Sequence, residues 1–278
     1  FLPHVYRWCR RRRIPFVAYV GTAHSLDSNF KSKVMNALFA AGTLRIYKKN
    51  PVLAKTSAAK EELRQLGVPH AVIAPVGLDN AVLKKNIPAD EKMRLRKEHG
   101  FEADDVILCN VSRLSWEKRP LELIDLFLQV KGKKKFKLII VGNGPLEEEL
   151  NEKIRKNGLE KEVKIYPNVP YEKMWEIYEM SDYYLNMNKG EIFGMAIMEA
   201  VYYKTSVAAI RALGPSVTLK DMKGHKLCEN DDEMAEWITG PYPSEKDLQE
   251  SSEKMAATFT WDRCADAFLQ ASSEKSSR

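Results

Sequence analysis

The sequence predicts an α/β protein of two domains, in which helices cover both faces of parallel sheets. Short apolar segments alternate with charged helical segments along most of the chain, which is typical of parallel strands joined by helical crossovers. Val106–Val111 (VILCNV) and Phe136–Val141 (FKLIIV) are almost continuously apolar, as strands buried on both faces are. The composition changes around residues 78–88, which indicates the link between the two domains.

The first domain is predicted over residues 1–83 and has few elements. Strands are predicted at 14–20, 44–47 and 71–75, with a helix at 54–66 that Gly67 ends. A doubly wound domain normally opens with a strand and a Gly-rich turn, and no such turn stands in this part of the sequence. We therefore expect a partial domain, either because the chain is a fragment or short form, or because a partner chain completes the domain.

The second domain is predicted over residues 84–240 and has enough strands for a whole doubly wound sheet. Its predicted strands are 106–111, 136–141, 163–166, 183–187 and 206–210. Its predicted helices are 88–99, 121–130, 146–157, 171–180 and 193–203. This regular alternation predicts a complete domain. Residues 241–278 are predicted to form C-terminal helices that pack back toward the first domain.

Composition excludes several classes of protein. Lys plus Arg number 44 against 38 Asp plus Glu, a net charge of +6, which is weaker than in dedicated nucleic-acid binders. No nucleic-acid partner is therefore expected. No apolar run approaches the roughly 20 residues that span a bilayer. The cysteines share no short spacing, which suits a reducing, cytoplasmic location; they are Cys9, Cys109, Cys228 and Cys264.

The sequence offers no metal-binding or serine-nucleophile motif. It contains no HExxH, no CxxC and no aspartate cluster, so no metal site is expected. It also lacks the G-x-S-x-G nucleophile elbow. Any catalytic chemistry must therefore come from other side chains.

The most informative segment is EIFGMAIME, residues 191–199. A helix that begins near Phe193 would place Glu191 in the preceding loop and Glu199 about two turns along the helix. The free N–H groups of a helix start bind anions, and carboxylates accept hydrogen bonds from sugar hydroxyls. Spacing alone favours the other interpretation, two surface glutamates on an amphipathic helix.

Two further segments directly follow predicted strands. NVSRLSWEKRP, residues 110–120, carries Arg113 and Lys118, and cations at the carboxyl edge of a parallel sheet suit phosphates. VGNGP, residues 141–145, has glycines that allow a close backbone approach, although such glycines often serve only to turn the chain. His24 follows the first strand in VGTAHS and is either a ligand contact or a structural histidine.

Taken in this order, the segments resemble the retaining glycosyltransferases of family 4, or glycosyl transferases group 1. The similar segments run from about residue 14 to 261: VAYVGTAH, PVGLD, SRLSWEK in place of the family's GR….KG loop, VGNGP, EIFGMAIME for the E-x7-E motif, and FTWDRC. The resemblance implies the GT-B fold, with two Rossmann-like domains, of which the C-terminal one is complete and the N-terminal one partial. It also implies transfer of a hexose from a nucleotide-diphosphate sugar to a hydroxyl of a glycan or lipid-linked acceptor, with retention of configuration and without a metal or other cofactor.

The resemblance also implies a set of site residues. The catalytic contacts would be His24, Arg113, Lys118 and Glu191. The donor-binding positions would be Arg113, Lys118, Gly142, Asn143, Val169, Glu191, Phe193, Gly194, Met195 and Glu199.

Within this set, the resemblance gives each group a role toward a UDP- or GDP-sugar. Arg113 and Lys118 would bind the diphosphate, and Glu199 would hold the ribose hydroxyls. Glu191 would hold hydroxyls of the donor sugar, with backbone amides from the start of the following helix. His24 would contact the sugar from the first domain.

We call residues 112–120 (SRLSWEKRP) the cationic loop. The sequence departs from the family pattern at the end of this loop, where KRP stands for the usual KG. Arg119 then either adds a charge beside the phosphates or faces water. Rival interpretations are an epimerase or phosphorylase of the same architecture, and a truncated or non-catalytic nucleotide-sugar-binding subunit that needs a partner chain. The retained Glu191 and Glu199 argue against the binding subunit.

The start of the chain is basic and amphipathic. FLPHVYRWCRRRR combines apolar residues with five arginines; they are Arg7, Arg10, Arg11, Arg12 and Arg13. Such a helix binds anionic membrane surfaces, so a peripheral contact with the inner face of the membrane is one interpretation. The other is an ordinary helix with a solvated basic face.

Overall fold

The structure is a computed structural model that describes residues 2–21, 34, 36–79 and 83–273, without the side chains of 40, 41, 272 and 273. It divides into two compact units, one of residues 1–77 with 259–278 and one of residues 78–258. The predicted boundaries stood at 83/84 and 240/241, so the division lies a few residues earlier at the link and 18 residues later near the end. The predicted site residue His24 lies outside the described residues.

The described strands and helices follow in chain order. The strands are β1 (Ala18–Val20), β2 (Val52–Ala54), β3 (Val72–Ile73), β4 (Val106–Val111), β5 (Phe136–Val141), β6 (Val163–Tyr166), β7 (Tyr183–Asn186), β8 (Ser206–Ile210) and β9 (Lys226–Cys228). The helices are α1 (Leu2–Arg11), α2 (Leu44–Tyr47), α3 (Ser57–Gln65), α4 (Glu91–Glu98), α5 (Pro120–Val130), α6 (Glu147–Lys156), α7 (Met174–Met180), α8 (Met195–Tyr202), α9 (Leu213–Thr218), α10 (Asp231–Thr239), α11 (Glu245–Thr258) and α12 (Trp261–Ser273).

The described part of the first unit contains a parallel sheet in the order β1-β2-β3. Its middle strand is not the predicted strand at 44–47, because that segment is helix α2 and the strand is Val52–Ala54. The alternation in LRIY suggested a strand, but the helical path brings the rings of Phe39 and Tyr47 to 5.7 Å, in the core of the unit. Tertiary packing thus overrides a weak local pattern.

Helix α1 packs its apolar side against the core of the first unit. Cys9 is buried, and Leu2, Val5 and Tyr6 pack against the core. Trp8 is exposed, with the guanidinium of Arg12 4.9 Å from its ring centre. Most apolar residues of α1 therefore already pack within the protein. The exposed face is basic and includes Trp8.

The second unit is a doubly wound domain around a parallel sheet in the order β6-β5-β4-β7-β8-β9. Strands β4, β5, β6 and β8 have the predicted bounds, because each is a mainly apolar segment between polar or turn-forming ones. Strand β9 (KLC) is too short to show such a pattern. The core on one side of this sheet joins β4, β5 and β8 to α5, α6 and α10.

The predicted C-terminal segment 241–278 is divided between the units. Helix α11 belongs to the second unit, where Leu248 and Met255 are buried and Ser252 Oγ donates to the Tyr202 carbonyl over 2.5 Å. Helix α12 belongs to the first unit, and its Cys264 and Ala267 share a small core cluster with Leu53 of β2. Within the described residues, no helix is long and apolar enough to cross a bilayer.

Candidate active site

The topology of the second sheet brings the predicted loops to one edge. The chain runs from β4 outward through β5 and β6, then returns to the other side of β4 and continues through β7, β8 and β9. The order therefore reverses between β4 and β7. Such a switch point leaves a crevice at the carboxyl ends of the two strands, where ligands of doubly wound sheets bind. The loop after β4 carries Lys118, and the loop after β7 carries Glu191.

Lys118 and Glu191 meet across this switch point. The Lys118 Nζ lies 2.8 Å from Glu191 Oε2, and both side chains are largely buried. Two residues 73 positions apart in the sequence thus form one ion pair. A partly buried ion pair attracts more strongly than an exposed one, because less water screens it.

The loop after β7 is organised by two buried asparagines. Asn186 Oδ1 accepts from the backbone N–H of Asn188 over 3.0 Å, and Asn188 Oδ1 accepts from that of Gly190 over 2.9 Å. The Asn188 side-chain amide then donates to Glu191 Oε2 over 3.1 Å. Short side chains that bond to nearby backbone stabilise turns, so these asparagines fix where Glu191 projects.

The surroundings of Glu191 favour its charged form. Burial alone would raise the pKa of this carboxyl, but the ammonium of Lys118 and the amides of Asn188 and Asn186 outweigh burial and hold the pKa below its ordinary value. Glu191 is therefore ionised at neutral pH and acts as a hydrogen-bond acceptor.

Helix α8 starts directly beside this pair. Gly194 caps it with φ +88°, and a Cβ there would stand 2.7 Å from Ile197 Cδ1, so glycine is required. The first intrahelical bond runs from Met198 N–H to the Gly194 carbonyl. The N–H groups of Met195, Ala196 and Ile197 consequently have no partner within the helix. Their positive partial charge favours an anion at this helix start.

Glu199 lies farther along α8 and is 7% exposed. Its Oε1 accepts from the Tyr171 hydroxyl over 3.0 Å, and its Oε2 accepts from the Tyr178 hydroxyl over 2.8 Å. Burial raises the pKa of the Glu199 carboxyl, and the two hydroxyl donors oppose the rise. Glu199 is thus a buried acceptor held by phenols and not, as one interpretation of the sequence had it, a surface residue.

The remaining predicted residues lie in different surroundings. Arg113 is exposed and pairs with Glu117 over 3.0 Å, so it does not contact Lys118 or Glu191. Val169 is half-buried in the loop after β6, and Phe193 is buried between Glu191 and the start of α8.

The VGNGP turn packs against the cationic loop. A Cβ on Gly142, whose φ is +138°, would come within 1.9 Å of the Ser112 carbonyl oxygen. Asn143 accepts from the Leu114 N–H over 2.8 Å through its carbonyl, and its side-chain amide donates to the Pro167 carbonyl over 3.1 Å. Gly142 therefore permits close contact with the backbone of Ser112. This contact explains the glycine without a ligand.

Arg119 has neither of the two predicted environments. Its guanidinium donates to both carboxylate oxygens of Asp231, over 3.0 and 2.8 Å, and to the Met187 carbonyl over 3.3 Å. The expectation that it faces phosphates or water is wrong, because α10 brings an acidic partner to it. Arg119 instead ties the loop after β7 to the end of the cationic loop.

The sequence alone does not reveal the residues that hold the two glutamates. Asn188 lies three positions before Glu191. Side chains this close in a loop can contact each other, so the sequence could have indicated this hydrogen bond. Tyr171 and Tyr178 come from the segment after β6, far from Glu199 in sequence, so only the fold brings them together. In the described ranges, no group of three His, Cys, Asp or Glu side chains is arranged to hold a metal ion.

Comparison with known proteins gives the class of this chain. The family model for glycosyl transferases group 1 matches residues 91–255, which is more than half of the 278 residues. The chain therefore belongs to this family. The matched region contains Arg113, Lys118, Glu191 and Glu199.

One curated relative and two solved structures illustrate the similarity. D-inositol 3-phosphate glycosyltransferase of Mycobacterium avium is 26% identical over 297 residues, covering 94% of this chain and 65% of its own. Anabaena Alr3699/HepE, solved with UDP and glucose, has a TM-score of 0.76 at 19% identity, covering 97% of this chain and 74% of its own. Sucrose-phosphate synthase of Thermosynechococcus elongatus has a TM-score of 0.75 at 16% identity, covering 95% and 69%.

These structures confirm the predicted fold class, an α/β fold of the GT-B glycosyltransferase type. The chain spans 65% of the length of the M. avium relative and 62% of that of the Mycolicibacterium paratuberculosis one.

Proposed function

We propose that the protein is a glycosyltransferase that moves a hexose from a UDP- or GDP-sugar to a hydroxyl of a glycan or lipid-linked acceptor. The observation that carries the proposal is the Lys118–Glu191 pair at the switch point, beside the start of α8. A cation, a sugar-binding carboxylate and free helix N–H groups then stand together, which is what a sugar attached to a diphosphate requires.

The proposed reaction needs the departing nucleoside diphosphate to be stabilised. Lys118 and the N–H groups at the start of α8 supply fixed positive charge where negative charge develops on the phosphates. Arg113, which is exposed, adds a second cation in this proposal by leaving Glu117. We propose that these groups do this without a metal ion or other cofactor.

In this proposal, the donor sugar binds Glu191 and the nucleoside binds Glu199. Glu191 accepts from sugar hydroxyls, Glu199 accepts from the ribose, and His24 contacts the sugar. As the bond to the diphosphate breaks, the anomeric carbon gains oxocarbenium character. The acceptor hydroxyl attacks on the face that the diphosphate leaves, so configuration is retained, and the leaving phosphate takes the hydroxyl proton.

A second candidate is a nucleotide-sugar-binding subunit that transfers sugar only with a partner chain. The sheet in the described part of the first unit has three strands against six in the second unit, which supports this candidate. We propose that the isolated chain binds nucleotide but transfers sugar poorly. Efficient transfer by the isolated monomer would remove the second candidate.

The acceptor side includes a proposed contact with the inner face of the cytoplasmic membrane. The arginines that follow Trp8 are exposed, and among the described residues none of them is within ion-pair distance of a carboxylate. Such a surface attracts anionic lipid headgroups. The R10E/R12E variant should lose binding to vesicles that contain phosphatidylglycerol. Unchanged binding, or no binding by the wild-type chain, would remove this contact.

The test of the main proposal is a calorimetric titration with UDP and with GDP, first without metal and then with Mg²⁺. Saturable binding of one nucleotide without metal is expected, and the nucleotide that binds identifies the base. Glu199→Ala should weaken that binding by about 1–3 kcal/mol, the usual cost of leaving a buried donor, here a ribose hydroxyl, without a partner. Glu160→Ala, which changes an exposed glutamate after α6, is the matched control and should leave the affinity unchanged. No binding by a folded wild-type chain would contradict the proposal.

A further inference from the structure

The acceptor atom that the proposed function gives to ribose is already occupied in the structure. Glu199 Oε1 accepts from the Tyr171 hydroxyl at 3.0 Å. The phenol is the donor, since burial and the nearby Glu199 charge raise the pKa of Tyr171 to about 12. A ribose hydroxyl would be the same kind of donor to the same oxygen.

Among the described residues, the space beside the glutamate is small. The cavity next to Glu199, Tyr171 and Tyr178 has a volume of about 10 Å³ and is lined otherwise by Leu83, Met174, Trp175 and Tyr203. A single water needs about 10–15 Å³, and a ribose needs far more. In the described part of the chain, a ribose therefore gains room at this carboxylate when one of the two phenols leaves.

The two phenols differ in their freedom to leave. Tyr178 is 1% exposed, and its ring stacks on that of Tyr203 at 5.9 Å within the domain core. Tyr171 is 45% exposed and begins the short 3₁₀ turn Tyr171–Lys173 directly after Pro170. Moving Tyr171 costs little buried area, whereas moving Tyr178 would open the core.

We propose that Tyr171 is a displaceable substitute for the ligand. Its hydroxyl donates to Glu199 Oε1 when no nucleotide is bound and gives up this position to a ribose hydroxyl when nucleotide binds. The inference rests on the proposed function, because it takes Glu199 to be the ribose acceptor. When no nucleotide is bound, the Tyr171 hydroxyl keeps the buried Glu199 carboxylate hydrogen-bonded. Without this donor, burial of the carboxylate would cost more free energy. During binding, one hydrogen bond is exchanged for another, so Tyr171 lowers the affinity and selects ligands that bring a hydroxyl donor.

The test compares Tyr171→Phe with the wild-type chain by calorimetric titration with UDP, GDP and inorganic pyrophosphate, together with thermal unfolding. The variant keeps the ring and removes only the competing donor. It should bind the cognate nucleotide about tenfold more tightly, a conservative value for one hydrogen bond to a charged acceptor. Its melting temperature without ligand should fall. Pyrophosphate, which has no ribose, should bind both proteins equally.

Each outcome has a distinct meaning. Equal or weaker nucleotide binding by Tyr171→Phe, with the wild-type chain still binding, overturns the exchange and leaves the proposed function intact. An equal gain for nucleotide and pyrophosphate also overturns the exchange, because the ribose would then have no part in the gain. If neither folded protein binds nucleotide, both the inference and the proposed function fail. Tyr178→Phe is the comparison variant, and its affinity should not rise, since its donor stays in place during binding.

Discussion

Glu191 and Glu199 are eight residues apart, yet the protein stabilises their carboxylates in opposite ways. Glu191 lies in a loop beside Lys118, and its pKa is held below the ordinary value despite burial. Glu199 lies within α8 between two phenols, and burial raises its pKa. One carboxylate has a cation and amide donors, whereas the other has only neutral donors.

This difference follows from the positions of the two residues relative to the sheet. At the carboxyl edge of β4 and β7, loops from two crossovers meet, so a lysine can approach a glutamate. Glu199 lies within α8 and is surrounded by the domain core. Burying an ammonium there would cost more free energy than burying a hydroxyl. A ligand with a charged diphosphate and an uncharged ribose would match the two environments in that order.

The largest expected effect is the loss of the cation beside Glu191. Lys118→Met leaves a largely buried carboxylate without its counter-charge, so the free energy of unfolding should fall by about 3 kcal/mol. Urea unfolding at pH 7.5 measures the loss. Glu199 should not respond to this change, since no contact joins it to Lys118.

The double variant Lys118→Met/Glu191→Gln is the control for this prediction. It removes both charges and should regain most of the lost stability, since no unpaired charge remains. A double variant as unstable as Lys118→Met would show that the lysine acts through packing and not through charge.

A smaller effect is expected for the inner phenol of Glu199. Tyr178→Phe removes a buried donor to a carboxylate, which should destabilise the protein by about 2 kcal/mol. Tyr183→Phe is the matched control, because its buried hydroxyl has no partner in the described residues. Removing that hydroxyl should be neutral or stabilising. Equal losses in the two variants, measured by thermal unfolding, would mean that the Tyr178–Glu199 bond contributes nothing specific.

The smallest effects are the pH dependences, which should have opposite signs. The folded pKa of Glu191 lies below the ordinary 4.5, so its stabilisation is present above pH 4.5 and is lost as the pH falls toward the folded value. The folded pKa of Glu199 lies above 4.5, so the protein loses stability as the pH rises from 4.5 toward that value. Each slope must stay below about 1.4 kcal/mol per pH unit, the limit for one proton.

Urea unfolding between pH 4 and 7 separates the two carboxyls. The stability of the wild-type chain relative to Glu191→Gln should rise with pH and then level off. Its stability relative to Glu199→Gln should fall with pH. Slopes of the same sign would contradict the two environments described here.

The sequence predicts the parts of this site that depend on local pattern. Continuous apolar runs place β4 and β5 to the residue, and the position of Lys118 and Glu191 after strands already predicts that they lie at one sheet edge. The partners of Glu199 depend instead on how the segment after β6 packs over α8, and nothing local encodes that contact. Arg119 is mispredicted for the same reason, because Asp231 reaches it from 112 residues away.

The strands of the first unit show the same limit. Val52–Ala54 is a central strand of three residues that was not predicted and that overlaps the start of the helix predicted at 54–66, while the alternation at Leu44–Tyr47 is helical. Short elements carry too little pattern to compete with tertiary packing. The predictions therefore hold best where a strand is long and buried on both faces.

The central claim is that a nucleotide sugar occupies the switch point, between Lys118 and Glu191 on one side and Glu199 on the other. Backbone hydrogen exchange with and without saturating UDP or GDP tests it most directly. We expect slower exchange in residues 112–118 and 191–198, with little change in α5 and α6 on the far side of the sheet. Protection confined to other segments, such as residues 84–92, or no protection at all despite measured nucleotide binding, would contradict the account.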